Sequence, residues 1–340
     1  MKVIQLGDMC HAGINIHRGL LKNKISSKIL ISSLINNYEK EPGVLFNKLH
    51  KFFLAKYIYT FYFVALNQAD IFHCHGLSGI FPCILRKNFC IHFHGSDIRD
   101  FDKHPLLKKI IIRILCNSAK QVFVAGYDLI GKYVEYGFKP EKVEHIPNSV
   151  KLQKTFKKEF CKDGSISLFC PSSNHWTKRK DRLIRAFKTI EDEFENISLT
   201  LVRDESSAGR DLEKLIQKLS VKNINFIDRM SYKEFTAEYL KYDIVLDQFS
   251  DLKVYGVITY EALSYGMPAI CTMGSNYNKS TIGSPVLPGN SVDIIIESVF
   301  QIINNNQFSK IGIQGRKFIE QNNSPKIIAA KFLKKYAEIR

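Results

Sequence analysis

Residues 244–271 read IVLDQFSDLKVYGVITYEALSYGMPAIC. A short apolar run, Ile244–Leu246, ends in Asp247-Gln248-Phe249. A loop leads to Gly256, which opens a helical pattern. Gly266 closes that pattern, and Pro268 bars its continuation before a second apolar run, Ala269–Cys271. Two short apolar runs joined by a helix are the unit of a parallel sheet buried on both faces.

Working outward, the same unit recurs along all 340 residues. In the first half the expected strands are Val3–Leu6, Lys28–Ser32, Asp70–Cys74, Phe89–Phe93, Gln121–Ala125 and Val143–Ile146. Helix patterns fall between them at Ile14–Leu21, Lys48–Leu66, Leu106–Cys116 and Asp128–Tyr136. Pro147-Asn148-Ser149 and a lysine-rich stretch, Lys151 to Asp163, interrupt the series. It restarts with Ile166–Cys170, Ile197–Val202, Ile224–Ile227, Ile244–Leu246 and Ala269–Cys271. The expected fold class is α/β, with two doubly wound domains facing a cleft. Residues 1–150 form the first, 151–323 the second, and 324–340 a last helix with Ser324 as N-cap and Pro325 in its first turn.

Composition narrows the function classes. Lys+Arg number 49 against Asp+Glu 33, a net charge of +16, which points to an anionic partner: nucleic acid, acidic membrane or phosphorylated small molecule. The surplus is spread over both halves and no nucleic-acid recognition motif is visible, so nucleic acid is not expected. Eight cysteines without a C-x-x-C pair point to reduced thiols and a cytoplasmic location. Phe52–Leu66, interrupted by Lys56, is a poor membrane span, and no signal peptide is expected.

Ligands of doubly wound sheets bind beyond the carboxyl ends of the strands. After the first strand comes the glycine loop Gly7 to Asn15. Its Gly13 lets backbone approach a ligand, and the following helix offers N–H groups to an anion; an ordinary turn has the same composition. His73 with His75, and His92 with His94, share strand faces. Four histidines suggest a metal site, but Asp97 is the one carboxylate beside them. A polar wall around a sugar or phosphate is the preferred reading, with His73 and His92 structural. In the second half, Lys178-Arg179-Lys180 sits before a helix pattern, where cations are disfavoured unless an anion binds. Gly256 opens a helix whose first turn suits a phosphate, and Glu261 is placed to accept from two vicinal hydroxyls, as on a ribose.

With these segments in view the chain resembles the retaining nucleotide-sugar glycosyltransferases of family 4, which have the GT-B fold. The carriers are Gly7 to Asn15, HFHGSDIR (His92 to Arg99), HIPNSV (His145 to Val150), KRKDRLIRAF (Lys178 to Phe187) and YGVITYEALSYGMPAI (Tyr255 to Ile270). The resemblance implies a catalytic role for His94, near the donor sugar, and for Lys178, which neutralises the diphosphate. It implies that Tyr255, Gly256, Val257 and Arg179 meet the diphosphate or sugar and that Glu261 holds the ribose. Gly13, Asn15, His75 and Asp97 belong to the acceptor side of the cleft, and the last helix returns to the first domain. It further implies transfer without a metal or other cofactor, from a nucleotide diphospho-sugar to a saccharide or lipid-linked saccharide acceptor of an envelope polysaccharide.

Three departures stand out. The family's sugar-contacting glutamate falls on Lys253, its phosphate-binding arginine on Ser172, and a glycine on Arg203. Arg179 or Lys180 would then complete the phosphate clamp. The Leu106–Cys116 helix, with Leu107, Ile110, Ile111, Ile114 and Leu115 on one side and Lys108, Lys109 and Arg113 on the other, suggests peripheral contact with an anionic inner membrane, or else simple cover for the sheet. The competing classes are a nucleotide-sugar epimerase of the same fold, a non-enzymatic anion- or nucleic-acid-binding protein, and a hydrolase built on the four histidines.

Overall fold

The structure is a computed structural model. It describes residues 1–9, 11–31, 41–47, 52–154, 156–157, 159–251, 254–274 and 283–340. Cys10, Lys253 and the beginning of the Lys48–Leu66 helix pattern lie outside the described residues. The chain divides into two compact units: Met1–Val150 with Asn323–Arg340, and Lys151–Asn322.

The first unit holds seven parallel strands: β1 (Lys2–Leu6), β2 (Ser26–Ile31), β3 (Val44–Phe46), β4 (Ile71–His75), β5 (Phe89–Phe93), β6 (Gln121–Val124) and β7 (Val143–His145). Their order is β3-β2-β1-β4-β5-β6-β7. The second holds six parallel strands: β8 (Ile166–Cys170), β9 (Ile197–Val202), β10 (Ile224–Ile227), β11 (Ile244–Leu246), β12 (Ala269–Cys271) and β13 (Leu287–Pro288), in the order β10-β9-β8-β11-β12-β13. β3 and β13 have no counterpart in the sequence reading; each is two or three residues long and too short to show a periodicity. Strand order reverses between β1 and β4 in one sheet and between β8 and β11 in the other. Those two switch points are where such sheets take ligands.

Helices cover both faces, so β4 and β5 are buried throughout, and β1 and β8 are buried except where they begin. The last helix, Pro325–Ile339, belongs to the first unit. Ile328, Phe332 and Tyr336 pack with Val3, Ile16, Leu20, Cys90 and Phe123. Ser324 is its N-cap residue, without a side-chain cap hydrogen bond.

The Leu106–Ser118 helix differs from the expected division into an apolar and a basic side. Ile112, Leu115 and Cys116 face the core, whereas Leu106 and Leu107 are 73% and 70% exposed and Ile110, Arg113 and Ile114 share that outer face. The sheet needs only one narrow stripe of this helix, and the sequence supplies two. Helix Phe53–Leu66 does likewise, exposing Leu54, Tyr57, Ile58, Tyr62 and Leu66 at helical spacing. Helix Ile80–Ile84 touches both and exposes Ile84.

Gly19 sets how closely helix Ala12–Lys22 meets the last helix. A Cβ there would lie 1.9 Å from the Pro325 carbonyl oxygen. Gly19→Ala is expected to cost about 1–3 kcal/mol by overpacking. Gly131→Ala, inside helix Asp128–Glu135 with nothing within 4 Å of the new Cβ, should instead stabilise by about 0.5–1 kcal/mol. Denaturant unfolding of the two variants measures both; equal effects would contradict the packing assignment.

Candidate functional site

At the β1/β4 switch point the glycine loop is already satisfied from within. Gly7 has φ +86°, and a Cβ on Gly13 would meet the Gly7 carbonyl oxygen at 2.7 Å and His75 Nε2 at 3.1 Å. The Asp8 carboxylate accepts from the Ile14 N–H at 3.2 Å. It thereby takes the helix N-terminus expected to hold an anion, and burial pushes its carboxyl up to about 6. Sequence reading passed over Asp8, although an acid before a helix is a capping signal. Asn15 is buried; its amide donates to the Ser149 carbonyl and its oxygen accepts from Arg18. Asp97 pairs with Lys108 at 3.2 Å.

The four histidines lie together at the ends of β4 and β5. His75 Nδ1 and His94 Nε2 share a hydrogen bond of 2.8 Å, and His94 Nδ1 reaches Asn148 Oδ1 at 3.2 Å. His73 Nδ1 is 2.5 Å from the Tyr336 hydroxyl. Burial lowers all four: His73 to about 3, His94 to about 4, and His75 and His92 well below the ordinary range. All four rings are therefore neutral at pH 7. His94 is the least buried of the four.

At the β8/β11 switch point the structure separates three adjacent cations. Lys178 ends a short 3-10 turn, and its Nζ donates to Gln248 Oε1 at 2.5 Å. Arg179, in the left-handed region at φ 51°, is held by both carboxylate oxygens of Asp181 at 2.9 Å and faces Asp251. Lys180 is buried, donating to the Ser172 carbonyl and to Asn174 Oδ1. Lys180 therefore does not join a phosphate clamp: its ammonium points into the domain and closes the turn after β8. Ser172 is structural as well, donating to the Asp247 carbonyl at 2.7 Å across β8 and β11.

Gln248 joins the Lys178 turn to the glycine loop, because its amide also donates to the Val254 carbonyl. Sequence reading placed it only at a strand end. Gly256 precedes helix Val257–Ser264. A Cβ there would lie 2.2 Å from Asp247 Oδ2, so the position excludes any side chain. Asp247 is fully buried and accepts from the Thr259 hydroxyl at 2.7 Å. Tyr255 is buried and packs edge-on to Tyr260. Glu261 accepts from the Tyr232 hydroxyl at 2.7 Å and the Tyr239 hydroxyl at 3.1 Å, and burial pushes it up to about 6. Arg203 lies outside this cluster, paired with Asp228. Within the second unit, a cavity of about 660 Å³ is lined by Arg179 and Lys180 together with Asn174, His175, Asp211 and Ser250 among others.

The buried histidines of the first unit and Glu261 of the second should answer acid in opposite senses. A histidine buried neutral is stable above its unfolded pKa of about 6.5 and loses stability as pH falls toward its folded value. Several such rings weaken the first unit from about pH 6.5 to about 4, offset in part by Asp8, whose carboxyl is raised to about 6. Glu261 binds its proton more tightly when folded, so its contribution rises as pH falls through about 6 toward 4.5. Hydrogen exchange over 71–94 and 257–264 across this range measures both; parallel losses would contradict the assignment.

Residues 25–154 match the model "Glycosyltransferase Family 4" and residues 152–318 the model "Glycosyl transferases group 1". No curated protein matches the sequence. Among solved structures the chain is similar to sucrose-phosphate synthase from Thermosynechococcus elongatus (14% identity, 99% of each chain, TM-score 0.76). It is also similar to Anabaena HepE in complex with UDP-glucose (13% identity, 99% of this chain and 100% of that one, TM-score 0.74). A putative UDP-N-acetylglucosamine 2-epimerase from Listeria monocytogenes shares the architecture more loosely (14% identity, 98% and 95%, TM-score 0.60). The two models meet at the boundary between the units and together run from residue 25 to residue 318 of a GT-B fold, so the chain is a glycosyltransferase of the family 4 type.

Proposed function

We propose that the protein transfers a hexosyl-type sugar, with retention, from a nucleotide diphospho-sugar to a saccharide or lipid-linked saccharide acceptor of a cell-envelope polysaccharide. The observation that carries this reading is Lys178. Of three adjacent cations it is the one that is neither buried nor paired with a carboxylate; its partner is a neutral amide, Gln248, which leaves its charge for an anion. The same Gln248 links it, through the Val254 carbonyl, to the loop that leads to Gly256.

The second unit binds the donor. Lys178 and the N–H groups at the start of helix Val257–Ser264 take the diphosphate, with Val257 and Tyr255 beside it. Arg179 lines the neighbouring cavity. Glu261, set between two tyrosine hydroxyls, takes the ribose. The first unit receives the acceptor beside Gly13, Asn15, His75 and Asp97, and His94 serves the reacting sugar. The bond from the anomeric carbon to the phosphate oxygen breaks while the acceptor hydroxyl closes on the same face, and the leaving phosphate takes the acceptor's proton. Charge builds on that phosphate, and Lys178 stabilises it as it develops. Neither a metal nor another cofactor takes part in this step.

An anionic membrane is the proposed setting, at the inner face of the cytoplasmic membrane. No described helix is long and apolar enough to cross a bilayer. The exposed faces of helices Phe53–Leu66 and Leu106–Ser118, bordered by Lys56 and Arg113, suit shallow insertion instead. The epimerase reading is kept as the alternative because an epimerase shares the architecture.

Lys178→Ala is expected to lower turnover about 100-fold or more, with no change when magnesium is omitted. Glu261→Ala should weaken nucleotide binding by calorimetry. Donor incubated without acceptor should be recovered unchanged; its conversion to an epimer would decide for the alternative. In flotation assays the protein should rise with vesicles containing anionic lipid. Leu106→Ser with Leu107→Ser should reduce that fraction, and equal flotation of the variant would remove the membrane assignment.

A further inference from the structure

The histidines at the ends of β4 and β5 leave an anomaly that sugar transfer does not absorb. His73, His75 and His92 are 0%, 5% and 1% exposed. His73 Nε2, both ring nitrogens of His92 and the Gln5 amide nitrogen are buried without a hydrogen-bond partner. Four orphaned polar atoms in one cluster are costly, since a buried polar group ordinarily finds a partner. Their side chains lie on one face of adjacent strands, with His75 opposite His92 in the register.

We propose that His73, His75 and His92 bind a transition-metal dication of the borderline class, such as zinc, within the first unit. Their candidate ligand atoms all lie within 4.8 Å of one another. The ring centroids are 4.9, 5.4 and 5.6 Å apart. Three imidazoles held tetrahedrally at about 2.0–2.1 Å from a metal place their centroids about 5 Å apart. A small inward shift of the rings closes the site.

The outer contacts favour a metal over a water. A histidine that ligates a metal through one nitrogen donates its other N–H to a second group. His73 Nδ1 meets the Tyr336 hydroxyl and His75 Nδ1 meets His94 Nε2, so Nε2 is the ligand atom of each; His73 Nε2 is unpartnered, and the hydrogen bond of His75 Nε2 to Gln5 Oε1 is the one the metal replaces. His92 adds a third from whichever nitrogen faces the cluster. A water has two O–H groups and leaves one of three lone pairs unmatched, whereas a cation accepts all three. Gln5 Oε1, 3.4 Å from His75 Nε2, supplies a fourth oxygen donor. Imidazole ligands select zinc, copper, nickel or cobalt over magnesium or calcium.

The site is distinct from the donor-binding residues of the second unit. It touches the assigned chemistry through His75, whose Nδ1–H is fixed toward His94, and through His92, whose ring centroid lies 4.2 Å from that of His94. The metal therefore sets the tautomer of His94 and the order of the strand ends.

The test uses the full chain, stripped by prolonged dialysis against a strong chelator and reloaded with zinc or cobalt. One zinc per chain is expected after gel filtration, with a raised melting temperature. Cobalt should give the intense visible bands of a four-coordinate nitrogen-rich site. His92→Phe, whose ring keeps the apolar contacts with Phe123 and Phe332, should lose the metal and the thermal shift. His17→Gln, at a histidine bonded to Ser27 and Pro42 elsewhere in the unit, should keep both. Zinc-edge absorption of the wild-type protein needs no variant, and an imidazole shell is expected. The proposal is overturned by metal content below a tenth of an equivalent, by a first shell of sulfur or of water alone, or by equal metal in His92→Phe.

Discussion

A parallel sheet covered on both faces leaves polar side chains one place to stand, the carboxyl ends of its strands. That constraint orders both units. β4 and β5 are buried along their whole length, and β8 and β11 are buried where they pair, so each strand's chemistry is pushed to its last residue and the turn beyond. The turns are held from strand to strand: Ser78 donates to the Leu6 and His75 carbonyls in one unit, and Ser172 to the Asp247 carbonyl in the other. Both ties cross a switch point. What the rest of the structure contributes is to make those ends rigid.

The architecture was legible because strand and helix periods differ and because glycine and proline punctuate them. Gly256, Gly266 and Pro268 fix a strand–helix–strand unit without help from tertiary contacts. β3 and β13 were not legible, since so short a strand is created by its neighbour and not by its own pattern. The Leu106–Ser118 helix was misread for a related reason. Periodicity shows that a helix is amphipathic, but a helix with two apolar stripes gives no sign of which one the sheet takes.

Site residues were legible as types and positions, not as partners. His75, His94, Glu261 and Gly256 stand where strand ends and helix starts put them. That Glu261 sits between Tyr232 and Tyr239, from a helix 22 to 29 residues earlier, depends on how distant segments pack. Asp8 was visible but passed over, because a glycine loop before a helix reads as an anion site until its own carboxylate is seen to fill it. Gln248 carries no charge and no motif, yet it couples two segments of the donor side.

The charge of +16 divides in the same way. In sequence, Lys178, Arg179 and Lys180 are three equal cations. Arg179 lies between Asp181 and Asp251, which cancel its field at short range. Lys180 is solvated by carbonyls inside the domain, and burial lowers its pKa, so it stabilises a turn and offers nothing to a ligand. Lys178 alone is part-exposed with no carboxylate beside it, and its partner is an amide. A neutral partner orients an ammonium without neutralising it, and an incoming diphosphate displaces an amide oxygen far more easily than a carboxylate. A run of basic residues is thus a poor guide to anion affinity. What matters is which of them the fold has left without a counter-charge.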